Sequence, residues 1–61
     1  MWIVEQRDPA GSWFIRGTFH EQEEAEFYAH LYKDRNPRLR FRYRRADEYG
    51  EPLDDSEPVE V

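Results

Sequence analysis

The hydrophobic pattern of the chain changes its period twice, and these changes separate two strands, one helix and a further strand. Residues 2–7 and 13–19 are rich in aromatic and β-branched side chains, which favour strands. Between them, Asp8-Pro9-Ala10-Gly11-Ser12 predicts a turn. Proline presets φ at the second position of this turn, and glycine takes the positive φ that follows. The first two strands therefore form a hairpin.

The register of this hairpin follows from keeping charged side chains out of the core. A shift by one residue would bury Glu5 and Arg7, at a large desolvation cost. The expected pairs are Asp8 with Trp13, Val4 with Gly17 and Trp2 with Phe19. One face of the hairpin then carries Trp2, Val4, Trp13, Ile15 and Phe19. The opposite face carries Ile3, Glu5, Arg7, Phe14, Arg16 and Thr18.

Glu21–Asp34 follows a period near 3.6 and predicts one helix. Acidic residues crowd its first turn and basic residues lie at its end, as the helix dipole favours. Asn36-Pro37 ends it, because the residue before proline avoids helical backbone angles. Phe27 and Leu31 lie outside the buried stripe, so we expect them to contact something other than the core. That stripe consists of Ala25, Tyr28, Ala29 and Tyr32.

From Arg38 to Arg45, arginine alternates with large apolar side chains at a period of two. This alternation is typical of a strand with two chemically opposed faces. One face presents Leu39, Phe41 and Tyr43 and needs a cover, which the helix supplies. The other face presents a row of guanidinium groups from Arg38, Arg40, Arg42 and Arg44.

The order of the elements predicts an α+β fold of ββαβ topology. If the third strand lies beside the first, every pairing is antiparallel. The sheet is then three-stranded, in the order 2-1-3, with a right-handed crossover and the helix on one face. We expect the opposite face to stay open. It would collect Arg7 and Arg16 beside the arginine row, with Ile3 and Phe14 among them.

Charge divides the chain at Asp47. Residues 1–46 carry nine basic and seven acidic side chains, whereas residues 47–61 carry seven acidic and no basic ones, which gives the net charge of −5. We interpret residues 1–46 as the ββαβ domain and residues 47–61 as an acidic, mobile tail, because such a composition buries little apolar surface. Asp54, Asp55 and Glu57 lie within reach of the arginines, so the tail is expected to screen them.

The sequence shows no catalytic or metal-binding motif, and we expect no enzyme, no metal and no cofactor. There is no cysteine for a disulfide or a thiolate site, which agrees with a cytoplasmic location. His20-Glu21 begins like the zinc motif HExxH, but Glu24 stands where the second histidine is required. The hydroxyl groups of Ser12, Thr18 and Ser56 have no base placed beside them. No signal peptide or membrane span is expected.

The arginine row has a structural and a functional interpretation. Alternating charge protects an edge strand from aggregation without any partner. The use of arginine at 38, 40, 42, 44 and 45, where lysine would serve solubility equally well, favours bidentate contacts to phosphate or carboxylate. We assign partner binding to these arginines, to the side chains expected beside them and to the helix flank. The set is Arg16, Arg38, Arg40, Arg42, Arg44, Arg45, Phe14, Phe27 and Leu31.

Residues 17–29 read Gly-Thr-Phe-His-Glu-Gln-Glu-Glu-Ala-Glu-Phe-Tyr-Ala. This stretch resembles the strand-to-helix step G-x-F-x-x-x-E-E-A-x-x-Y-A of many short proteins from tailed phages and bacteria. The resemblance implies a compact αβ protein that acts by binding, as do small phage inhibitors of host RNA polymerase or of CRISPR effectors. It assigns a role to no individual residue.

Two binding hypotheses follow. The first is a non-enzymatic protein-binding module, a phage-type accessory or inhibitor of a host protein such as RNA polymerase or a CRISPR effector. The alternative is single-stranded RNA or DNA bound on the open sheet face, where Phe14 and Ile3 offer apolar contacts among arginines that neutralise phosphates. A homodimer is also expected, because it would bury Ile3, Phe14, Phe27 and Leu31.

Overall fold

The computed structural model describes residues 1–61 and contains β1 (Trp2–Arg7), β2 (Trp13–Phe19), α1 (Gln22–Arg35), β3 (Phe41–Arg45) and β4 (Val59–Glu60). The strands form one antiparallel sheet in the order β2-β1-β3-β4. The α+β class and the neighbour order 2-1-3 are confirmed. The prediction of three strands is wrong, because the end of the chain adds β4 beside β3.

The β1–β2 hairpin combines two registers. At the end of the hairpin away from the turn, the pairs from Trp2–Phe19 to Val4–Gly17 are those predicted. From Glu5 onward the pairing shifts by one residue, so that Glu5 lies opposite Ile15 and Arg16 has no partner of its own. This is a β-bulge, in which one strand contributes an extra residue between two successive pairs.

The turn explains the shift. The N–H of Gly11 donates to the carbonyl of Asp8 over 3.0 Å, and Gly11 takes a φ of 93°, as predicted for this turn. The turn closes on Ser12, however, because the N–H of Asp8 donates to the Ser12 carbonyl over 2.8 Å. Arg7 therefore faces Trp13, where Asp8 was predicted. Such a three-residue loop agrees with the register at the far end of the hairpin only if one residue bulges out.

The bulge moves four side chains of β2 to the sheet face opposite the predicted one. Trp13 and Ile15 lie on the face away from α1. Phe14 and Arg16 lie on the face toward α1, where the Arg16 guanidinium carbon is 5.4 Å from the centroid of the Tyr32 ring. The prediction that Phe14 and Arg16 join the arginine row is therefore wrong.

The core lies between the sheet and α1. Its fully buried side chains are Val4, Ala25, Ala29 and Phe41, with Tyr43 almost fully buried. Partly buried side chains pack against them, namely Trp2, Phe19, Tyr32, Leu39 and Val61. The small alanines of the helix leave room for the large ring of Phe41. The predicted inward face of β3 is confirmed. The predicted helix stripe is confirmed at both alanines and at the half-buried Tyr32, whereas Tyr28 lies outside the core cluster and is 37% exposed.

Helix α1 begins and ends one residue later than predicted. Asn36 caps its C-terminus, and the N–H of Asn36 donates to the carbonyls of Tyr32 over 2.9 Å and Lys33 over 3.2 Å. The side-chain Nδ2 of Asn36 also donates to the Tyr32 carbonyl over 3.2 Å. α1 is too short and too polar to cross a lipid bilayer.

The strand that carries the arginines starts later than predicted. The N–H of Leu39 donates to the Asn36 carbonyl over 3.0 Å, which forms a turn between α1 and β3. β3 begins only at Phe41, so Arg38 and Arg40 precede it. Arg38 lies in the turn and is exposed.

Residues 47–61 return the chain to the outer edge of β3. The Oδ1 atom of Asp47 accepts the N–H of Tyr49 over 2.8 Å and that of Glu51 over 3.0 Å, and Gly50 takes a φ of 82°. These contacts form a tight turn directly after β3. The following residues lead to β4, which pairs antiparallel with β3. The structure thus shows an edge strand where a free acidic tail was predicted.

Candidate functional site

We call the sheet surface opposite α1 the arginine face and define it by Arg40, Arg42, Arg44, Glu5 and Trp13. At its centre Arg42 Nε donates to Glu5 Oε1 over 2.9 Å. Glu5 is only 5% exposed and Arg42 is half-buried. The guanidinium carbon of Arg42 also lies 4.1 Å from the centroid of the Trp13 ring. This cation is therefore held between a carboxylate and an aromatic face.

Arg40 is bound by the last strand. Its Nε donates to Glu60 Oε2 over 2.9 Å and its Nη2 donates to Oε1, which gives a bidentate pair. The hydrogen bond from Arg40 is the main reason why the pKa of Glu60 is lowered, and the positive charges of Arg40, Lys33 and Arg7 act in the same direction. The pKa of Arg40 is raised by the same hydrogen bond. Because both side chains are largely exposed, the pair adds little stability.

Arg44 is bound by the C-terminal segment, but by no carboxylate. Its Nη2 donates to the carbonyls of Leu53 and Ser56, each over 3.0 Å, and its Nε is buried without a hydrogen-bond partner. The Oγ of Ser56 accepts the N–H of Arg45 over 2.9 Å. Ile3, opposite Arg44 on the same face, is completely buried. The arginine face is therefore closed at this end.

The C-terminal segment contacts the arginines, but not through the acidic side chains that were predicted to screen them. Asp54, Asp55 and Glu57 make no hydrogen bond or ion pair with any arginine. Backbone carbonyls and Glu60 contact the arginines instead. Carbonyl oxygens accept from Nη2 of Arg44 and leave its charge without a counter-ion.

The nine predicted contact residues do not form one surface. Arg42 and Arg44 are engaged inside the chain, whereas Arg38 and Arg45 are exposed and form no ion pair. Phe14 and Arg16 lie on the helix side of the sheet. Phe27 and Leu31 lie on α1, away from all the arginines of β3.

Phe27 and Leu31 form the centre of a second candidate surface, the helix patch. Phe27 is 61% exposed, and its ring meets Tyr28 edge-on with 5.3 Å between the ring centroids. The patch is a shallow cleft of about 370 Å³ on the outer surface of α1. Its lining residues are Glu23, Glu26, Phe27, His30, Leu31 and Asp34. An apolar centre is thus surrounded by negative charge.

A cleft of about 280 Å³, the basic cleft, lies between the hairpin turn and the α1–β3 turn. Its lining residues are Arg7, Asp8, Pro9, Arg38, Leu39 and Arg40. Three arginines therefore line the cleft with one aspartate, and one of the three, Arg40, is paired with Glu60. No group of three or more histidine and acidic side chains comes together that could hold a metal ion.

Glu5, Trp13 and Glu60 were not predicted to bind the arginines. A signal for Glu5 was its charge within the otherwise apolar start of β1. Trp13 could be placed beside Arg42 only after the hairpin loop length was known. Glu60 lies in a run too short to predict a strand.

Comparison with protein-family models, with curated proteins and with solved structures found no match to this chain. Its function is therefore argued from the geometry of these surfaces.

Proposed function

We propose that this protein is a non-enzymatic binding module that attaches to a partner protein through the helix patch. The observation that carries the proposal is the 61% exposure of Phe27 at the centre of an apolar cleft shared with Leu31. Neither side chain belongs to the core cluster between α1 and the sheet. An exposed aromatic ring beside a half-buried aliphatic side chain, with a polar border, is typical of a contact site.

The charges around the patch define the chemistry of the partner. Glu23, Glu26 and Asp34 border the apolar centre, so the complementary surface is basic around an apolar groove. The ring of Phe27 would enter that groove from the exposed side of a rigid helix, which is a common mode of recognition. Proteins that handle nucleic acid carry such basic surfaces. RNA polymerase and CRISPR effectors are of this kind, and their identification as partners stays a prediction.

The same charges argue against a second copy of the chain as the partner. A symmetric contact through two helix patches would bring Glu23 and Glu26 of each copy close to those of the other. Like charges at an interface oppose association. We therefore propose a partner of different sequence, and the expected homodimer stays a prediction for light scattering.

The arginine face supports nucleic-acid binding less well than the sequence suggested. Ile3 is buried and Phe14 lies on the other side of the sheet, so neither offers the apolar contact that this hypothesis invoked. Arg42 and Arg44 already have partners within the chain. We assign these two arginines a structural role.

The test compares capture of binding partners by three immobilised proteins. These are the wild type, the Phe27→Ala/Leu31→Ala double variant, and Tyr49→Ala as the control. Tyr49 is 84% exposed and lies outside the helix patch, so its removal controls for the loss of any exposed ring. A partner held stoichiometrically by the wild type and by Tyr49→Ala, but lost from the double variant, supports the proposal. Loss of an aromatic anchor weakens binding by about 30-fold or more.

Equal retention by all three proteins contradicts the proposal. A thermal melt of each variant must first show that the fold is intact. We expect this because Phe27 and Tyr49 are exposed and Leu31 lies outside the core cluster. Light scattering on the wild type at high micromolar concentration then distinguishes a second copy from a different partner.

A further inference from the structure

Three arginines converge on the basic cleft from different parts of the fold. Arg7 is the last residue of β1, Arg38 lies in the turn after α1, and Arg40 directly precedes β3. The N–H of Arg7 donates to the carbonyl of Arg40 over 3.0 Å, so these two backbones are fixed side by side. The fold therefore concentrates positive charge at one end of the sheet, away from the helix patch.

The cleft lacks enough carboxylates to neutralise this charge. Arg7 and Arg38 form no ion pair. Asp8 is the only acidic residue in the lining, and its Oδ1 accepts the N–H of Ser12 over 2.8 Å within the hairpin turn. Two guanidinium groups are thus free to donate to an anion from outside. Arginine presents planar, paired donors that suit an oxyanion.

The chain itself shows that this region attracts an oxyanion. The carboxylate of Glu60 binds Arg40 at the edge of the cleft. The lowered pKa of Glu60 reflects that hydrogen bond first, and then the charges of Arg40, Lys33 and Arg7. The negative form of the group is therefore favoured by cations beyond its direct partner.

Arg7 is held in place before any ligand arrives. A Cβ atom added at Gly11 would lie 3.2 Å from Nη2 of Arg7, so the guanidinium packs directly on the hairpin turn. A side chain that is already positioned loses less conformational entropy when it binds.

We propose that the basic cleft binds the phosphate group of a phosphate monoester, with Arg7, Arg38 and the remaining N–H groups of Arg40 as donors. The cleft of about 280 Å³ holds a phosphate and leaves room for the atoms that carry it. The ring centroid of Trp13 lies 5.7 Å from the guanidinium carbon of Arg40 and borders the donors. Glu60 competes with the ligand for Arg40. This site is separate from the helix patch and does not depend on the partner proposed there.

The test is an NMR titration of the full chain with inorganic phosphate, followed at the arginine Nε–H signals. We expect saturating shifts at Arg7, Arg38 and Arg40, with a dissociation constant on the order of 1 mM. Arg38→Gln, in an exposed turn, should weaken binding about tenfold because one charge-assisted hydrogen-bond donor is lost. Arg35→Gln changes the net charge equally at the exposed end of α1 and should leave the affinity unchanged.

A second pair of variants tests the competition. Glu60→Gln releases Arg40 and should tighten phosphate binding several-fold. Glu57→Gln changes the net charge equally without touching an arginine, and it should have no such effect. O-phosphoserine and adenosine monophosphate, titrated in the same way, should each bind at least as tightly as inorganic phosphate, and the tighter of the two identifies the source.

Three results would overturn the proposal. Equal weakening by Arg38→Gln and Arg35→Gln would show a general charge effect. Sodium chloride at the same ionic strength that reproduces the shifts would show that no phosphate site exists. Weaker binding of both monoesters than of inorganic phosphate would exclude the assigned ligand class.

Discussion

The two faces of the sheet are held together by different kinds of contact. The face under α1 is closed by apolar packing around Phe41, which removes hydrocarbon surface from water and stabilises the fold in proportion to that area. The arginine face is closed by the Glu5–Arg42 pair, by the ring of Trp13 and by carbonyls of the C-terminal segment. The cost of removing these charged groups from water offsets much of the energy that such contacts gain. They therefore fix the positions of the side chains more than they stabilise the fold.

This difference changes how a row of arginines is to be interpreted. The alternation from Arg38 to Arg45 indicates a strand and its inward face, but it does not indicate what the guanidinium groups bind. In this chain Glu5 and Glu60 lie opposite Arg42. The partner that we propose is therefore assigned to the outer side of α1, where Phe27 is 61% exposed.

The largest expected effect is on the apolar face. Phe41→Ala should lower the free energy of unfolding by about 3–5 kcal/mol, because it leaves a cavity in the only core. Urea denaturation measures this loss, and Phe14→Ala serves as the control, since Phe14 lies on the same side of the sheet but is 42% exposed. The control variant should lose less than about 1 kcal/mol of unfolding free energy. Similar losses for the two variants would contradict the described core.

The next effect concerns the ion pair on the arginine face. Glu5→Ala leaves the half-buried guanidinium of Arg42 without its carboxylate and should cost about 2 kcal/mol, less than the loss of a fully buried pair because Arg42 retains some water. Glu5→Gln keeps a hydrogen-bond acceptor and should cost about half as much. A double-mutant cycle with Arg42→Ala measures the coupling directly. Zero coupling would show that the two side chains act independently.

A smaller effect is expected from the loss of β4. Deletion of residues 59–61 removes the hydrogen bond from the N–H of Val61 to the carbonyl of Phe41, which spans 3.0 Å, and the packing of Val61 on the core. We expect a loss of about 1 kcal/mol in unfolding free energy, together with NMR shifts at the Arg40 side chain. Unchanged Arg40 signals after the deletion would show that β4 does not hold this arginine.

The smallest effect is the pH dependence of the Arg40–Glu60 pair. Because the pKa of Glu60 is lowered in the folded chain, the pair stabilises the fold above the ordinary carboxyl pKa, and this contribution is lost as the pH falls through the lowered value. Carbon NMR should report a pKa for Glu60 below the ordinary value of a glutamate, and Arg40→Gln should raise it. The unfolding midpoint should change little, because the pair is exposed. An ordinary glutamate pKa at Glu60 would contradict the bidentate contact.

Local periodicity predicted the element order, the helix bounds within one residue and the inward face of β3. It did not predict the β-bulge, because the bulge results from a conflict between the loop at Gly11 and the pairing at Gly17. Neither site shows the conflict alone. The misplacement of Phe14 and Arg16 follows from that one feature.

β4 could not be predicted for a different reason. Val59–Glu60 is only two residues long, and its partners in β3 lie far away in sequence. Acidic composition suggested a mobile tail, yet most of the hydrogen bonds that hold this segment come from its backbone. Phe27 and Leu31 were identifiable because the helical period alone places them off the buried stripe.

The claim that the chain covers its own arginines is tested most directly by the backbone ¹⁵N heteronuclear NOE of the full-length protein. Residues 53–61 should give values close to those of β3, because Leu53, Ser56 and Glu60 are hydrogen-bonded to the arginine face or to β3. Values that fall steadily from Asp47 to Val61, as in a free chain end, would contradict it. Arg40 would then lack its carboxylate partner and Arg44 would be open to solvent, as the sequence alone had suggested.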